Sequence, residues 1–401
     1  MVAPPSATDR IVELDAMRGL AVIGIVWMNV FVFAMPDQAY YNPAAWGPGI
    51  GEPAPQDRLV WVASFVFVED KFRTLFAILF GAAFLILSES NAEAGWRAHY
   101  ARMAVLFVIG LAHALFLASN DILRIYALAG LALPFLAPLS ARALYAVAIG
   151  LVAVQLGGGI VAFGGSILDF YTGRTGSDAA LFVERMFGTN EPAIRGALEQ
   201  GRETFGERVE RRFEGMGAQL RSLLLALPVN LAAMALGMGL WKSRLLAGEW
   251  RTFRLQRLAA ICALVALPAL FALASWVSQN GYPGALAGSA ALVWSAPFDM
   301  ALGLAYAALA MAFFTREGAV TRTLAMVGRL SLSNYLLTSL ILGGIFASWG
   351  LGLFGNVSRS QTILLGLVPV GAMLIWSPQW VARFGHGPFE RLWRRTTRML
   401  S

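Results

Sequence analysis

The chain is poor in charge and nearly devoid of cysteine and histidine, and each shortage excludes a class of protein. Only 14% of its 401 residues are charged, whereas a soluble globular protein carries about 25%. A lone cysteine, Cys262, excludes a disulfide framework and any cysteine-based zinc or iron–sulfur site. The 3 histidines are too few and too scattered for a histidine cluster, so we expect no metal. The sequence also lacks a P-loop, a dinucleotide fingerprint, HExxH and G-x-S-x-G.

What the chain has instead is apolar sequence. Hydrophobic residues make up 58% of it, and the mean hydropathy is +0.63. This composition predicts an all-α, polytopic integral membrane helical bundle whose main partner is the lipid bilayer. The net charge of +7 is therefore no sign of nucleic-acid binding, because cytoplasmic loops collect lysine and arginine for topological reasons.

Apolar windows predict about ten transmembrane helices. Their approximate bounds are 17–35, 71–89, 103–119, 122–139, 143–165, 221–241, 258–278, 288–314, 326–348 and 360–377. Residues 1–10 lack the basic start of a cleaved signal, so we expect the first span to be retained. With both termini cytoplasmic, the short inner segments hold most of the lysine and arginine, as the positive-inside rule requires.

The remaining segments are interpreted as parts of a single transmembrane domain, 1–401. An outer loop at about 167–220 is long and nearly charge-balanced. Its opposite charges at helical spacing, Arg195 with Glu199 and Glu207 with Arg211, predict amphipathic surface helices. The basic, aromatic tail at 378–401 suits an anionic cytoplasmic membrane surface.

The segment Arg102–Tyr126 carries the strongest functional signal. His113 lies about 16 Å beyond Arg102 in an apolar run, near the middle of a bilayer. The run breaks just before Asp121, and another apolar run follows at once. Ionisable groups at membrane depth favour a functional site. The alternative is a histidine bonded to a neighbouring helix, with Asp121 as a helix N-cap.

The first span carries a polar stripe. Asp15 and Arg18 are three residues apart, and Asn29 lies on nearly the same helical direction. The stripe is more typical of a face turned to protein or water than to lipid. An N-cap and a snorkelling anchor are the alternatives for Asp15 and Arg18, and for Asn29 we expect an interhelical hydrogen bond.

A charged cluster precedes the second span. We interpret residues 59–68 as an interfacial or re-entrant lead-in, with Glu69, Asp70, Lys71 and Arg73 where the true span begins. The spacing predicts a Glu69–Arg73 ion pair. No local spacing assigns Lys71 a partner.

The spans in the second half of the chain contain fewer ionisable residues. Its glycine-rich helices predict close helix packing, and Asp299 is either a pathway residue or a buried, hydrogen-bonded acid. The ninth span opens with GRLSLSNYLLTSL, which places Arg329 and Ser333 on one face with Asn334 beside them.

Several of these stretches, in this order, resemble the YeiB-like family of bacterial membrane proteins (domain of unknown function 418). They are LDAMRGLAVIGIVWMN, DKFRTLFAILFGAAF, RMAVLFVIGLAHALFLASNDIL, GRLSLSNYLLTSL, GLGLFG and GPFERLWRR. The chain departs from the family pattern at Asn120, where glycine is usual, at Thr338, where glutamine is common, and at residues 389–393.

At greater distance the Asp–Arg–Gly motif of the first span is similar to that of transmembrane acyltransferases. This resemblance implies a helical bundle with a central cavity and transfer of an acyl group from a cytoplasmic donor, such as an acyl-CoA, to a small-molecule or envelope acceptor. It also implies the bacterial cytoplasmic membrane and no bound cofactor. The catalytic candidates are His113 as base and Asp121 as its orienting acid. The substrate- or donor-binding candidates are Asp15, Arg18, Asn29, Lys71, Arg73, Arg329 and Asn334.

Two other functions fit the residues. Polar groups at membrane depth also mark the substrate path of a transporter or exporter. Transporters often show matching broken helices in two halves, whereas here the ionisable motifs crowd into the first third of the chain. A non-catalytic membrane protein is the third interpretation, and it would leave His113 inert.

Overall fold

A computed structural model describes residues 11–46, 50–90, 95–174 and 176–400. Residues 1–10, where the sequence predicts no cleaved signal, lie outside these ranges. Within them the protein is all-helical, with no strand. The helices are α1 (Val12–Ala34), α2 (Asp37–Tyr41), α3 (Pro55–Phe67), α4 (Lys71–Ser90), α5 (Gly95–Phe116), α6 (Ile122–Gly130), α7 (Leu133–Leu136), α8 (Ala141–Thr172), α9 (Asp178–Phe187), α10 (Glu191–Gly201), α11 (Phe205–Glu214), α12 (Met216–Lys242), α13 (Thr252–Gln279), α14 (Gly284–Ser289), α15 (Ala296–Phe313), α16 (Ala319–Arg329), α17 (Ser331–Phe346), α18 (Arg359–Phe384) and α19 (Pro388–Leu400).

The described helices make a polytopic membrane bundle, as predicted. Eight of its helical segments are long and apolar enough to cross a bilayer. The number of spans is nine if α16 and α17, which meet at a bend of 79°, are counted together as one span. Nine of the ten predicted spans correspond to these segments.

The predicted fourth span, 122–139, is instead divided into α6 and α7. Pro134 stands in the first turn of α7 and has no N–H to donate to the carbonyl of Gly130, four residues earlier. That carbonyl lies 2.8 Å from His99 Nε2. The chain nevertheless returns across the bundle, because Lys242 Nζ, at the end of α12, donates to the carbonyls at positions 137 and 139, both at 2.6 Å.

The charged cluster at 69–73 lies at a break between two helices, and most of the predicted lead-in, 59–68, belongs to the helix before that break. Helices α3 and α4 together form one membrane-length segment, Pro55–Glu89. The segment breaks at 68–70, where Asp70 has a left-handed φ of 59°. Acidic and basic side chains therefore enter the bundle at an interruption between two helices.

Glycines set the closest helix contacts, as the composition predicted. A Cβ on Gly19 of α1 would lie 2.0 Å from a backbone oxygen of α16, and one on Gly328 of α16 would lie 1.9 Å from a backbone oxygen of α1. Gly81 of α4 and Gly237 of α12 bring their two helices together in the same way, at 2.0 and 1.9 Å. Backbones this close leave no room for larger residues, so these four glycines fix two helix pairs.

The outer segment forms the predicted amphipathic helices, within narrower bounds. Helix α8 continues to Thr172 and α12 begins at Met216, so the segment between them holds α9, α10 and α11. The predicted Arg195–Glu199 pair is wrong: Arg195 pairs with Glu191, one turn earlier.

The predicted Glu207–Arg211 pair is also replaced. Arg211 Nε lies 2.8 Å from a carboxyl oxygen of Glu203, which precedes α11. Glu207 instead completes a capping box with Thr204 at the start of α11. The hydrogen bonds from Thr204 lower the pKa of Glu207.

The C-terminal tail is shorter than predicted, because α18 continues to Phe384. The amphipathic α19 then docks under the bundle. Trp393 Nε1 donates to the carbonyl of Arg102, 3.0 Å away. Glu390 accepts from the backbone N–H groups of Leu332 and Ser333 at the start of α17. Helix α19 therefore lies at the same end of the bundle as Arg102 of α5 and the start of α17.

Reporter fusions test the sidedness, which the charge distribution predicts. We expect fusions after Ser140 and after the C-terminus to report cytoplasm, and one after Glu191 to report the outside. Alkaline phosphatase and green fluorescent protein, used in parallel, give opposite signals at each site. A cytoplasmic signal after Glu191 would contradict the assignment.

Candidate functional site

A tight turn between α5 and α6 brings His113 and Asp121 together. Helix α5 ends at Phe116. The backbone N–H groups of the next two residues, 117 and 118, both donate to the carbonyl of His113. Asp121 Oδ1 accepts from the N–H of Arg124 and caps α6. Gly110 lets α6 approach, since a Cβ there would lie 2.6 Å from Asp121 Oδ1. As a result, His113 Nδ1 lies 2.7 Å from Asp121 Oδ2.

The partners of the imidazole determine where its proton lies. A carboxylate oxygen only accepts, so the Nδ1 of His113 carries the hydrogen that bonds Asp121. In a neutral ring Nε2 then has a free lone pair. Ser339 Oγ of α17 lies 2.8 Å from that atom, and its hydroxyl donates to it. A serine, a histidine and an aspartate are thus joined in series, and all three are buried.

Tyr335, one turn before Ser339, closes the site on a second side. Its ring centroid is 4.9 Å from that of His113, and its hydroxyl lies 3.5 Å from Asp121 Oδ2. The same hydroxyl accepts from the N–H of Ile122. Tyr335 therefore ties α17 to the start of α6.

Arginines hold the outer side of the turn. Arg124 is buried, with its Nε 3.6 Å from Asp121 Oδ1 and a second nitrogen donating to the carbonyl of Ser119. Arg212 of α11 donates to the carbonyls at positions 115 and 117. Burial, with Arg208 nearby, lowers the pKa of Arg212 to about 10, so it remains charged at neutral pH. Its charge complements the carbonyl end of α5.

Asn29 makes a hydrogen bond inside the bundle, but to a turn and not to another helix as the sequence predicted. Its Oδ1 accepts from Nδ2 of Asn120 at 3.3 Å. This contact joins α1 to the turn beside His113. Its donor, Asn120, is one of the positions at which the chain departs from the family pattern, where glycine is usual.

The pair Asp15 and Arg18 lies elsewhere on α1. Arg18 donates to Asp15 Oδ1 at 2.9 Å, so its guanidinium contacts protein. The Arg18 side chain remains 28% exposed, whereas Asp15 is buried. No described contact joins this pair to His113.

Lys71 finds its partner far along the chain. Its Nζ lies 2.6 Å from Asp299 Oδ1, and both side chains are almost wholly buried. It also donates to the carbonyl of Phe65, which the break after α3 leaves without a helical partner. The predicted Glu69–Arg73 pair is wrong, because Arg73 pairs with Asp70 at 2.9 Å. The left-handed backbone at Asp70 breaks the helical register on which that prediction relied.

Asn334 stabilises the bend between α16 and α17. Its Nδ2 donates to the carbonyl of Val327 and to Ser377 Oγ, and its Oδ1 accepts from Trp376 Nε1. Asn334 is fully buried, and these contacts explain it without a ligand. Arg329, also predicted to bind substrate, is half-buried in the last turn of α16.

Sequence reasoning missed Ser339, Tyr335 and Arg124 as members of the site. Ser339 is 226 residues from His113, and no spacing rule links them. The available signal was the motif GRLSLSNYLLTSL, which contains both Ser339 and Tyr335.

Outside this cluster we looked for a metal site and for a pocket. In the described part of the chain no group of three or more His, Cys, Asp or Glu residues could hold a metal ion. An open groove of about 410 Å³ is lined by apolar side chains, at Leu156, Leu273, Trp276, Trp294, Pro297 and Phe298. None of its lining residues belongs to the His113 cluster.

The Lys71–Asp299 pair yields a stability prediction. Lys71→Met should lower the free energy of unfolding by about 3–5 kcal/mol, because it leaves a buried carboxylate unpaired, whereas Lys71→Met with Asp299→Leu should restore most of the loss. Thermal unfolding in detergent can be followed with a thiol-reactive dye, because Cys262 is the only cysteine. A single variant as stable as the wild type would contradict the paired arrangement.

Comparison with known proteins places the chain in a family. The family described as "Protein of unknown function (DUF418)" matches residues 240–400. The uncharacterized protein YeiB of Escherichia coli (strain K12) is 32% identical, over 97% of this chain and 96% of its own length. The uncharacterized protein YxaH of Bacillus subtilis (strain 168) is 25% identical, over 98% and 96%. No solved structure matches. The identity with YeiB over nearly the whole of both chains shows that this protein belongs to the YeiB-like family of membrane proteins.

Proposed function

We propose that the protein is an acyltransferase of the bacterial cytoplasmic membrane in which His113 is the general base. The observation that carries the proposal is the 2.7 Å contact between His113 Nδ1 and Asp121. A carboxylate in that position fixes the tautomer that leaves Nε2 free to accept a proton. A base held this way suits attack by a hydroxyl or an amine.

The reaction needs one proton transfer in each direction. The acceptor's oxygen or nitrogen attacks the thioester carbonyl carbon of an acyl-CoA, and His113 Nε2 takes its proton. The C–S bond breaks, and the CoA sulfur leaves with the proton from the imidazolium. Asp121 stabilises the imidazolium between these steps. Positioned acid–base catalysis of this kind contributes about 10²–10⁴-fold.

The candidate cations differ in how available they are to bind the phosphates of the acyl donor. Lys71 is buried against Asp299. Arg18 and Arg73 each pair with an aspartate three residues away and keep 28% and 27% of the side chain exposed, but only Arg18 lies near the predicted cytoplasmic end of its helix. It is therefore the best placed of the three to meet the phosphates of a cytoplasmic acyl-CoA.

His113→Ala tests the proposal, with His99→Ala as the matched control. Both histidines are buried in α5, but His99 contacts a backbone carbonyl rather than an acid. Membranes containing each variant receive radiolabelled acetyl-CoA, and label entering the lipid and glycan fractions is counted. We expect His113→Ala to lose roughly 10²–10⁴-fold of the transfer and His99→Ala to retain it. Full transfer by a folded His113→Ala protein would refute the assignment.

One observation favours a transporter as a second candidate. The Lys71–Asp299 pair lies where helices are interrupted in both halves of the chain: α3 and α4 break beside Lys71, and a π-helical turn at Ala290–Trp294 precedes Asp299. Broken helices around intramembrane charge are typical of transporters. π-bulges also occur often at functional sites.

A flux measurement separates the candidates. If the pair carries protons, vesicles loaded with a pH-sensitive dye should show a flux under an imposed pH gradient, and Asp299→Asn should abolish it. If the pair is structural, wild type and Asp299→Asn should show the same background rate. Acyl transfer lost only in His113→Ala would then favour the enzyme.

A further inference from the structure

We propose that Ser339 is the nucleophile that first receives the acyl group, so that transfer passes through a Ser339 ester. This inference rests on the proposed acyltransferase function and replaces the direct attack of the acceptor on the thioester by two steps through a covalent intermediate. Its basis is the series Ser339 Oγ, His113 and Asp121, with contacts of 2.8 Å at Nε2 and 2.7 Å at Nδ1.

The order of the atoms in this series is the one that nucleophilic catalysis needs. A serine hydroxyl is a weak nucleophile until a neighbouring base takes its proton, and the base must itself be oriented by a third group. Here the hydroxyl meets Nε2 and the acid meets Nδ1. The constellation is defined by this geometry and not by sequence position, and it recurs on unrelated folds.

Ser339 also departs from what a serine inside a helix ordinarily does. A buried serine or threonine in a helix commonly donates to the carbonyl four residues back. Its neighbour Thr338 does this, with Oγ1 2.9 Å from the carbonyl of Asn334. The Ser339 hydroxyl instead meets the imidazole of another helix.

Burial suits an ester intermediate. Ser339 is 1% exposed and His113 3%, and exclusion of water protects an ester from hydrolysis. A thioester reaches the hydroxyl only when α17 separates from α5 or the side chains between them move. Three polar groups in series are also a costly way to join two membrane helices that apolar side chains could join.

The position of the series in the bundle suits an acceptor on the predicted outer side. Ser339 lies eight residues after Ser331, the first residue of α17, and its partner His113 lies in the last turn of α5. Arg212 of α11, in the predicted outer segment, covers the turn that follows His113. An acyl group stored on Ser339 therefore lies toward the predicted outer end of α5.

Each half-reaction is balanced. In the first, Ser339 Oγ bonds the acyl carbon, its proton goes to His113 Nε2, the C–S bond breaks, and CoA leaves as the thiol with that proton. In the second, the acceptor hydroxyl or amine loses its proton to Nε2 and bonds the acyl carbon. The ester bond to Oγ breaks, and Oγ regains the proton. No oxidant or metal is required.

The first experiment traps the intermediate. Purified full-length protein is mixed with radiolabelled acetyl-CoA without acceptor, denatured, and mapped by mass spectrometry. We expect a hydroxylamine-labile acetyl group on Ser339, absent from Ser339→Ala and His113→Ala. Thr338→Ala, a matched buried control in the same helix, should label as the wild type does. Label on another residue, or transfer by Ser339→Ala at the wild-type rate, would overturn the inference.

Kinetics of single and double variants give an independent readout. Because members of such a unit act together, Ser339→Ala and His113→Ala should each lose roughly 10³-fold or more of the transfer, and the double variant should be no slower than either. Losses that multiply in the double variant would mean that the two residues act separately, and the shared mechanism would be wrong.

A fluorophosphonate probe tests Ser339 without assuming any donor. The Oγ–P bond forms, fluoride leaves, and His113 accepts the serine proton. Label on Ser339 that requires His113 supports the nucleophile even if no acyl transfer is found, in which case the proposed function alone fails. Transfer that needs His113 while Ser339→Ala stays active, with no label at Ser339, refutes the nucleophile and leaves the proposed function standing.

Discussion

Polar groups in the apolar interior of a membrane protein must be satisfied by the protein itself, and this constraint organises the bundle. Wherever a helix is interrupted, backbone groups lose their helical partners and side chains replace them. Asp121 caps the start of α6, His99 contacts the carbonyl that Pro134 leaves without a donor, and Lys71 donates to the carbonyl of Phe65. The ionisable residues that stand out in the sequence therefore gather at helix breaks.

The same constraint separates structural polar residues from candidates for chemistry. Asn334 and Lys71 have their polar atoms engaged with backbone or with a charge partner, so protein contacts suffice to explain them. The contact between His113 Nε2 and Ser339 is different, because neither atom satisfies a backbone group. That contact buries two polar groups, and it does not supply a partner to any backbone group at a helix break. It is therefore the feature of the interior that most needs a functional explanation.

The sequence predicted what depends on local spacing and hydropathy. It predicted most of the spans, and it named Asp121 as the acid beside His113. Predictions failed where backbone conformation overrode helical spacing: Asp70 adopts a left-handed conformation, and Pro134 stands within the predicted fourth span. Partners on distant helices could not be predicted, because helical periodicity gives the face of a residue but not the helix packed against it.

The pairing of Lys71 with Asp299 changes one argument about function. In the sequence, ionisable motifs crowd into the first third, and that asymmetry favoured an enzyme over a transporter built from two similar halves. In the fold, the charge in the first third is neutralised by a residue of the second half, so the asymmetry no longer discriminates. What favours the enzyme is the direction of the hydrogen bonds around His113. Asp121 is on one side of the ring and a hydroxyl is on the other. This arrangement turns the proposed base toward the proposed nucleophile, and no second acid or base among these contacts could pass a proton onward.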